Sequence, residues 1–264
     1  MSPVPQPEDI YRRTREEGAR RLERPALEML STALAAGFDV VAGLVALGLV
    51  GAQLRPWVGP TAQHVFGSLA FGMAFAFLVV GRGELFTENF LVPIAGLDHR
   101  SRGSWLGLAR LWTISPVFNI LGGTLVILVV TVHGVLPHGT GATLAQAAVT
   151  VHGHDAVSLF FSAVFAGALI TAMTWFVEGQ ESMLVRVVIG WSMGVLIVLG
   201  YFDHVIVETL ALVLGLRLGA PVPAGFVVWN FFLATAGNLI GGVGLVTVNR
   251  LTQGKQGERK RASA

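Results

Sequence analysis

The chain contains no cysteine. Disulfide frameworks, thiolate zinc sites and cysteine nucleophiles are therefore excluded. Charge is also scarce: 13% of the 264 residues are charged, against about 25% in an ordinary soluble domain, and 53% are hydrophobic. The mean hydropathy is +0.67. The few charges are unevenly spread, with twelve in residues 1–28, six in 250–264 and only sixteen in the 221 residues between. A long uncharged middle with charged ends is the pattern of an integral membrane protein, not of a soluble enzyme. No HExxH, Ser–His or paired-Asp signature is present either, so an enzyme is not expected. The formal net charge of +2 comes mainly from the ends. A basic end beside a membrane reads as a topology signal, and no nucleic-acid partner is expected.

Residues 1–28 lack the short basic region and apolar stretch of a secretory signal. The run EDIYRRTREEGARRLE (8–23) reads instead as a solvated helix, with Glu16 and Glu17 spaced to pair with Arg20 and Arg21. From residue 29 onward the chain is apolar in long runs. About 20 apolar residues cross the hydrocarbon core, and residues 29–50, 104–132, 156–177 and 224–248 qualify. Two further runs are interrupted. Residues 65–80 are followed by GRGELFTEN (81–89) and a short apolar run to 97. Residues 184–199 are followed by GYFDHVIVE (200–208) and a short run to 216. The expectation is an all-α membrane fold of six spans, the second and fifth broken. A tail of residues 1–28 and a basic tail of 250–264 flank the membrane domain of 29–249. With both tails in the cytoplasm, fifteen Lys and Arg residues lie inside, against Arg55 and Arg217 outside, as the positive-inside rule favours.

The two breaks are related. Gly81 and Gly200, Glu84 and Asp203, and Asn119 and Asn238 are each separated by the same 119 positions. Three spans per unit is an odd number, so the second copy (155–249) enters the membrane opposite to the first (29–133), giving a 3+3 inverted repeat of the kind transporters use. Ionisable groups at the breaks read as functional by default, because charge in mid-membrane is costly. His204 is the foremost of these. Glu84 and Glu88 have two equal readings, as acceptors for free N–H groups at the break or as transport residues. Arg82 is expected to pair with a membrane acid. For Glu208 the candidate partners are Arg82 and Arg217, or a subunit interface. Gly83, Asn89, Asn119 and Asn238 are expected to shape the breaks. The histidines at 133, 138, 152 and 154 read as solvated loop residues rather than a metal clamp, and no metal or other cofactor is expected.

GELFTEN (83–89), Asp203-His204 and GNLIGG (237–242) together resemble the formate/nitrite transporter family, over roughly residues 28–250. The resemblance implies a homopentamer of aquaporin-like protomers in the cell inner membrane. Each protomer would have its own pore for a small monovalent anion, with protons and membrane lipid as the other partners. By position it implies a pore lined by Leu85, Phe86, Thr87, Phe202, Asp203, the central histidine His204, and Asn230. The chain departs from the family pattern as a divergent branch. Asp203 stands in place of the usual glutamate, and Val205 to Glu208 replace a small polar stretch containing asparagine. Ser162 stands in place of a vestibule lysine, Gly167 of a nearby asparagine, and Leu233 of a proline. The expected function is a channel for weak-acid anions, proton-coupled through the histidine. A neutral-solute or water channel of the same architecture is the alternative.

Overall fold

The computed structural model describes residues 5–263, and every regular element among them is helical. Helix α1 (Pro7–Leu22) has Pro at its start, Glu8 and Asp9 in its first turn and Arg20 and Arg21 in its last, the arrangement that complements the helix dipole. Then come α2 (Ala26–Leu54), α3 (Pro60–Gly81), a 3-10 turn (Phe86–Phe90), the short α4 (Val92–Gly96) and α5 (Arg102–Val130). The chain continues as α6 (Thr140–His152), α7 (Ala156–Glu178), α8 (Met183–Leu199), α9 (Val205–Arg217) and α10 (Ala224–Leu239). A π-helical segment (Ile240–Thr247) joins α10 to α11 (Val248–Ala262) without a stop.

Five helices are long and apolar enough to cross a membrane: α2, α3, α5, α7 and the continuous run from Ala224 to Ala262. The apolar α8, at 17 residues, spans about 26 Å. Many large apolar side chains point outward, among them Phe38, Leu121, Phe161, Phe165 and Phe232, as expected of helices whose outer face meets hydrocarbon rather than water. The chain is thus a multi-pass membrane protein.

With little hydrophobic drive between helices in lipid, close approach of backbones supplies the packing. Gly37 on α2 lies against the carbonyl oxygen of Asn119 on α5, and Gly167 on α7 lies against that of Asn238 on α10. A Cβ at either glycine would land on that oxygen, so any larger residue separates the pair.

Three expectations from sequence are corrected here. The charged run 8–23 is not a solvated helix: α1 packs along α4 and α11, with Tyr11, Thr14, Gly18, Arg21 and Leu22 buried. Gly18 touches the Val92 carbonyl, and Tyr11 covers Gly254. The stretch between residues 133 and 155 is not all loop, since it contains α6. The second break is shorter than expected, ending at His204, so that Glu208 lies in the first turn of α9.

Candidate functional site

Both short apolar segments begin after a sharp reversal. At the end of α3 the chain turns at Arg82, and after α8 it turns at Tyr201; their φ values are 53° and 52°. These are the only non-glycine residues with positive φ among those described, and they are 119 positions apart. A left-handed turn at a non-glycine residue costs free energy and persists where surrounding structure holds it.

Two asparagines do the holding. Asn119 Oδ1 accepts from the backbone N–H of Phe86 at 2.9 Å, and its Nδ2 donates to the carbonyls of Ala33 and Glu84, both at 2.9 Å. Asn238 Oδ1 accepts from the N–H of Val205 at 3.1 Å, while its Nδ2 donates to the carbonyls of Ala163 (2.8 Å) and Asp203 (2.9 Å). Each asparagine is fully buried and clamps a reversal to the neighbouring span. Backbone groups freed by the breaks are thereby satisfied, as an apolar interior requires.

The two reversals meet at His204, which is fully buried. It is the N-cap of α9: its Nδ1 accepts from the N–H of Val207 at 3.3 Å. A lone pair is therefore needed at Nδ1, and the ring proton sits on Nε2. That nitrogen donates to Thr87 Oγ1, 2.7 Å away on the first break. The Phe75 ring lies edge-on to the imidazole with centroids 6.3 Å apart, and Leu85 and Phe86 are buried in the same apolar cluster. His204 and Thr87 are thus a hydrogen-bonded polar pair set in an apolar surround.

Around this pair the two breaks diverge. On the α1 side, Glu84 forms ion pairs with Arg24 at 2.8 Å and with Arg21 at 3.3 Å, and Arg21 also reaches Glu17 at 3.0 Å and Asn89 Oδ1 at 3.4 Å. Burial opposes the charge of Arg21, but Glu84, Glu17 and Glu88 outweigh it and raise its pKa. Burial likewise pushes the Glu17 carboxyl up, yet the guanidinium groups of Arg20 and Arg21 prevail and hold it at about 2. Asn89 is satisfied further by donating to Ser115 Oγ at 3.2 Å, and its own carbonyl accepts from Trp112 Nε1 at 2.8 Å. On the α9 side, among the described residues, no arginine pairs with Asp203 or Glu208. Asp203 accepts from Asn230 Nδ2 at 3.2 Å, and its backbone N–H donates to Ser162 Oγ at 3.3 Å. Asp203 Oδ2 and Asn230 Oδ1 have no partner among the described residues.

Beyond this second break lies a cavity of about 650 Å³, open at the end of the molecule where α2 meets α6. Leu44, His64, Gln146, Phe202 and Glu208 are among its lining. Phe202 packs edge-on against Phe165 at 4.7 Å.

The sequence-derived residues fall into three groups. Phe86, Thr87, Asn119, Asp203, His204, Asn230 and Asn238 converge, with Leu85 and Gly83 buried beside them. Glu88 is buried near Arg21. Arg82 is exposed and forms no ion pair among the described residues; the partners of Glu84 are Arg21 and Arg24 from α1. Glu208 likewise pairs with neither Arg82 nor Arg217, and instead lines the cavity. Arg21, Arg24 and Ser115 join the site without belonging to any candidate set drawn from the sequence, and Ser162, which stands in place of a vestibule lysine, joins it as the acceptor for the Asp203 N–H. Their signal is faint, since each lies outside the breaks in a span or a charged helix. Among the described residues no group of three or more His, Asp or Glu side chains is placed to hold a metal. His152 stacks instead on Phe226, and His154 meets Tyr201 edge-on.

Comparison with known proteins agrees with this architecture. The chain is 27% identical over 237 residues to the inner membrane protein YfdC of Escherichia coli (strain K12), covering 88% of this chain and 74% of that one. It is 26% identical over 227 residues to a probable formate transporter of Methanothermobacter thermautotrophicus, covering 79% and 82%. Among solved structures, an ion channel of the FNT family superposes with a TM-score of 0.75 at 20% identity, over 91% of this chain and 97% of that one. A pentameric formate channel with formate bound superposes with a TM-score of 0.66 at 18% identity, over 82% and 92%. The formate/nitrite transporter profile itself matches residues 8–251, and the chain belongs to that family.

Proposed function

We propose that the protein is a channel for small monovalent weak acids of the formate and nitrite class, which pass its centre in neutral, protonated form. The observation that carries this reading is the buried pair of His204 and Thr87 at 2.7 Å, where the two chain reversals meet. An anion crossing that apolar zone bare would lose its hydration without compensation, at a cost of several kcal/mol or more. A proton removes the charge before the crossing. The Thr87 hydroxyl accepts from His204 Nε2 and keeps its own O–H free to turn toward a substrate oxygen. His204 thus orients a hydrogen-bond donor at the centre of the apolar zone, which the neutral acid meets as it crosses.

The same reading extends to assembly and topology. The matching clamps of Asn119 and Asn238, and the matching reversals at Arg82 and Tyr201, support two inverted three-span units with α8 as the short fifth crossing. The cytoplasm then faces α1 and α11, and the cavity beside α6 opens outward. We take the assembly to be a homopentamer with one pore per protomer, by analogy with the solved pentameric formate channel.

The test is flux into liposomes containing the purified protein, with formate, nitrite and glycerol offered in turn. Formate or nitrite should enter much faster than glycerol, and faster when the solution is acidified. His204→Phe, which keeps the ring volume but loses both nitrogens, should abolish weak-acid flux. Glycerol flux without formate or nitrite flux would refute the weak-acid reading in favour of a neutral-solute channel.

A further inference from the structure

The two breaks share one backbone frame, and their side chains at matching positions are unlike. Asn89 and Glu208 are 119 positions apart, and so are Ser115 and Ala234. In the first copy Asn89 is a brace, bonded to Ser115 Oγ and to Arg21. In the second copy the position equivalent to Ser115 is a fully buried alanine, which has no hydroxyl for the equivalent brace. Glu208 has no side-chain hydrogen bond or ion pair among the described residues, and it lines the 650 Å³ cavity. The acids that precede the breaks differ in the same way. Glu84 is neutralised by two arginines. Its counterpart Asp203, 1% exposed, leaves Oδ2 without a partner.

A carboxyl that braces nothing, pairs with nothing and belongs to a residue lining a cavity roomy enough for water and a small anion, one helical turn from His204, has a chemical use. Resting on the weak-acid reading above, we infer that Glu208 is the proton-loading residue of the cavity beside α6, delivering the proton that neutralises a weak-acid anion before it reaches His204. In this step the O–H bond of the Glu208 carboxylic acid breaks as an O–H bond forms on the anion. Neutral acid moves inward, and the Glu208 carboxylate recovers a proton from water at the cavity mouth. Charge is conserved, and no other reactant is needed. A deprotonated Glu208 repels a bare anion, so only an anion that meets the protonated form proceeds. The groups that bear on this exchange are few. The cavity carries Arg55 from α2, His64 from α3 and Tyr201 at the reversal, with Asp203 and His204 behind it. Among the described residues no charged side chain comes from α5 or α10 beside it, α6 offers only His152, stacked on Phe226, and His154 meets the Tyr201 ring edge-on.

The experiment uses the full chain in liposomes with a trapped pH dye. Formate uptake and proton uptake are recorded together while the solution on the cavity side is varied in pH. Wild type should take up one proton per formate, with a rate that climbs as that solution is acidified. Glu208→Gln keeps size and polarity but carries no exchangeable acid proton. It should lower coupled uptake on the order of tenfold or more and flatten the pH profile, while Glu208→Asp restores the pH dependence in part. A Glu208→Gln protein that assembles normally and keeps the wild-type profile and proton uptake overturns the inference. Infrared titration of the protonated-carboxyl band gives an arm independent of transport. A band that responds to pH in wild type and is missing in Glu208→Gln supports the assignment even if no weak acid is carried, in which case only the weak-acid reading fails. No such band overturns it.

Discussion

At the scale of single residues, the site depends on two asparagines and one hydroxyl. Each asparagine makes three buried hydrogen bonds that no water can replace. Asn238→Leu strands the Val205 N–H and two carbonyls, which should cost on the order of 3 kcal/mol or more. A lowered melting temperature of the detergent-solubilised protein would register it, and an unchanged melting temperature would argue against the clamp. Thr87→Val leaves the His204 N–H without an acceptor, and flux should fall while Thr87→Ser retains most of it. How much of this is legible in the sequence depends on where the signals lie. The 119-position spacing exposes Asn119 and Asn238 because a repeated backbone need is met by a repeated residue type. The Thr87–His204 bond has no such signature, since it joins unlike positions of the two copies. Arg82 misleads for a related reason: closeness in sequence to Glu84 suggests a pair, but its left-handed backbone leaves the side chain exposed.

At the scale of elements, the informative case is α1. Its sequence of mixed charges reads as solvated, yet Tyr11, Thr14, Gly18 and Leu22 recur at helical spacing and form the buried face. That stripe is legible only when glycine and threonine are counted as packing residues, which membrane helices do routinely. The docked helix carries Arg21 and Arg24 to Glu84, so α1 and the first break stand or fall together. Substitution and acid should each disturb this contact. In Gly18→Val the new side chain meets the Val92 carbonyl, so α1 should lift from α4 and hydrogen exchange in residues 85–96 should rise. Acid should loosen the same contact. The Glu17 carboxyl is held at about 2 against an ordinary 4.5. A carboxyl whose value is depressed on folding stabilises fully above the ordinary value and loses that contribution as pH falls toward the depressed one. Exchange in α1 should therefore rise between about pH 4.5 and pH 2 in wild type, and Glu17→Gln should show raised exchange already at neutral pH. The π segment at Ile240–Thr247 has no comparable signal in sequence, because its residues are as apolar and helix-compatible as their neighbours.

For the whole molecule, the open question is which end faces which compartment, and the distribution of charge supplies the physical argument. Lys and Arg are retained on the cytoplasmic side of short loops and span ends because moving them across the bilayer is unfavourable. The end that carries α1 and α11 holds most of them, with Arg250, Lys255, Arg259, Lys260 and Arg261 on α11 alone. Mutual pairing ties the two helices to one side: Arg261 reaches Asp9 at 2.9 Å and Glu8 at 3.4 Å. The opposite end, with α6, offers Arg55, which lines the cavity, and Arg217 at the end of α9. The absence of cysteine makes the orientation directly measurable, since any introduced thiol is the only one. Gly254 is a poor site for a label because Tyr11 covers it, whereas Gln256 and His138 are exposed at the two ends. In intact cells a membrane-impermeant thiol reagent should modify His138→Cys and spare Gln256→Cys until the membrane is opened. The reverse pattern would turn the protein over. The cavity with Glu208 would then face the cytoplasm, and the proton it loads would come from inside the cell.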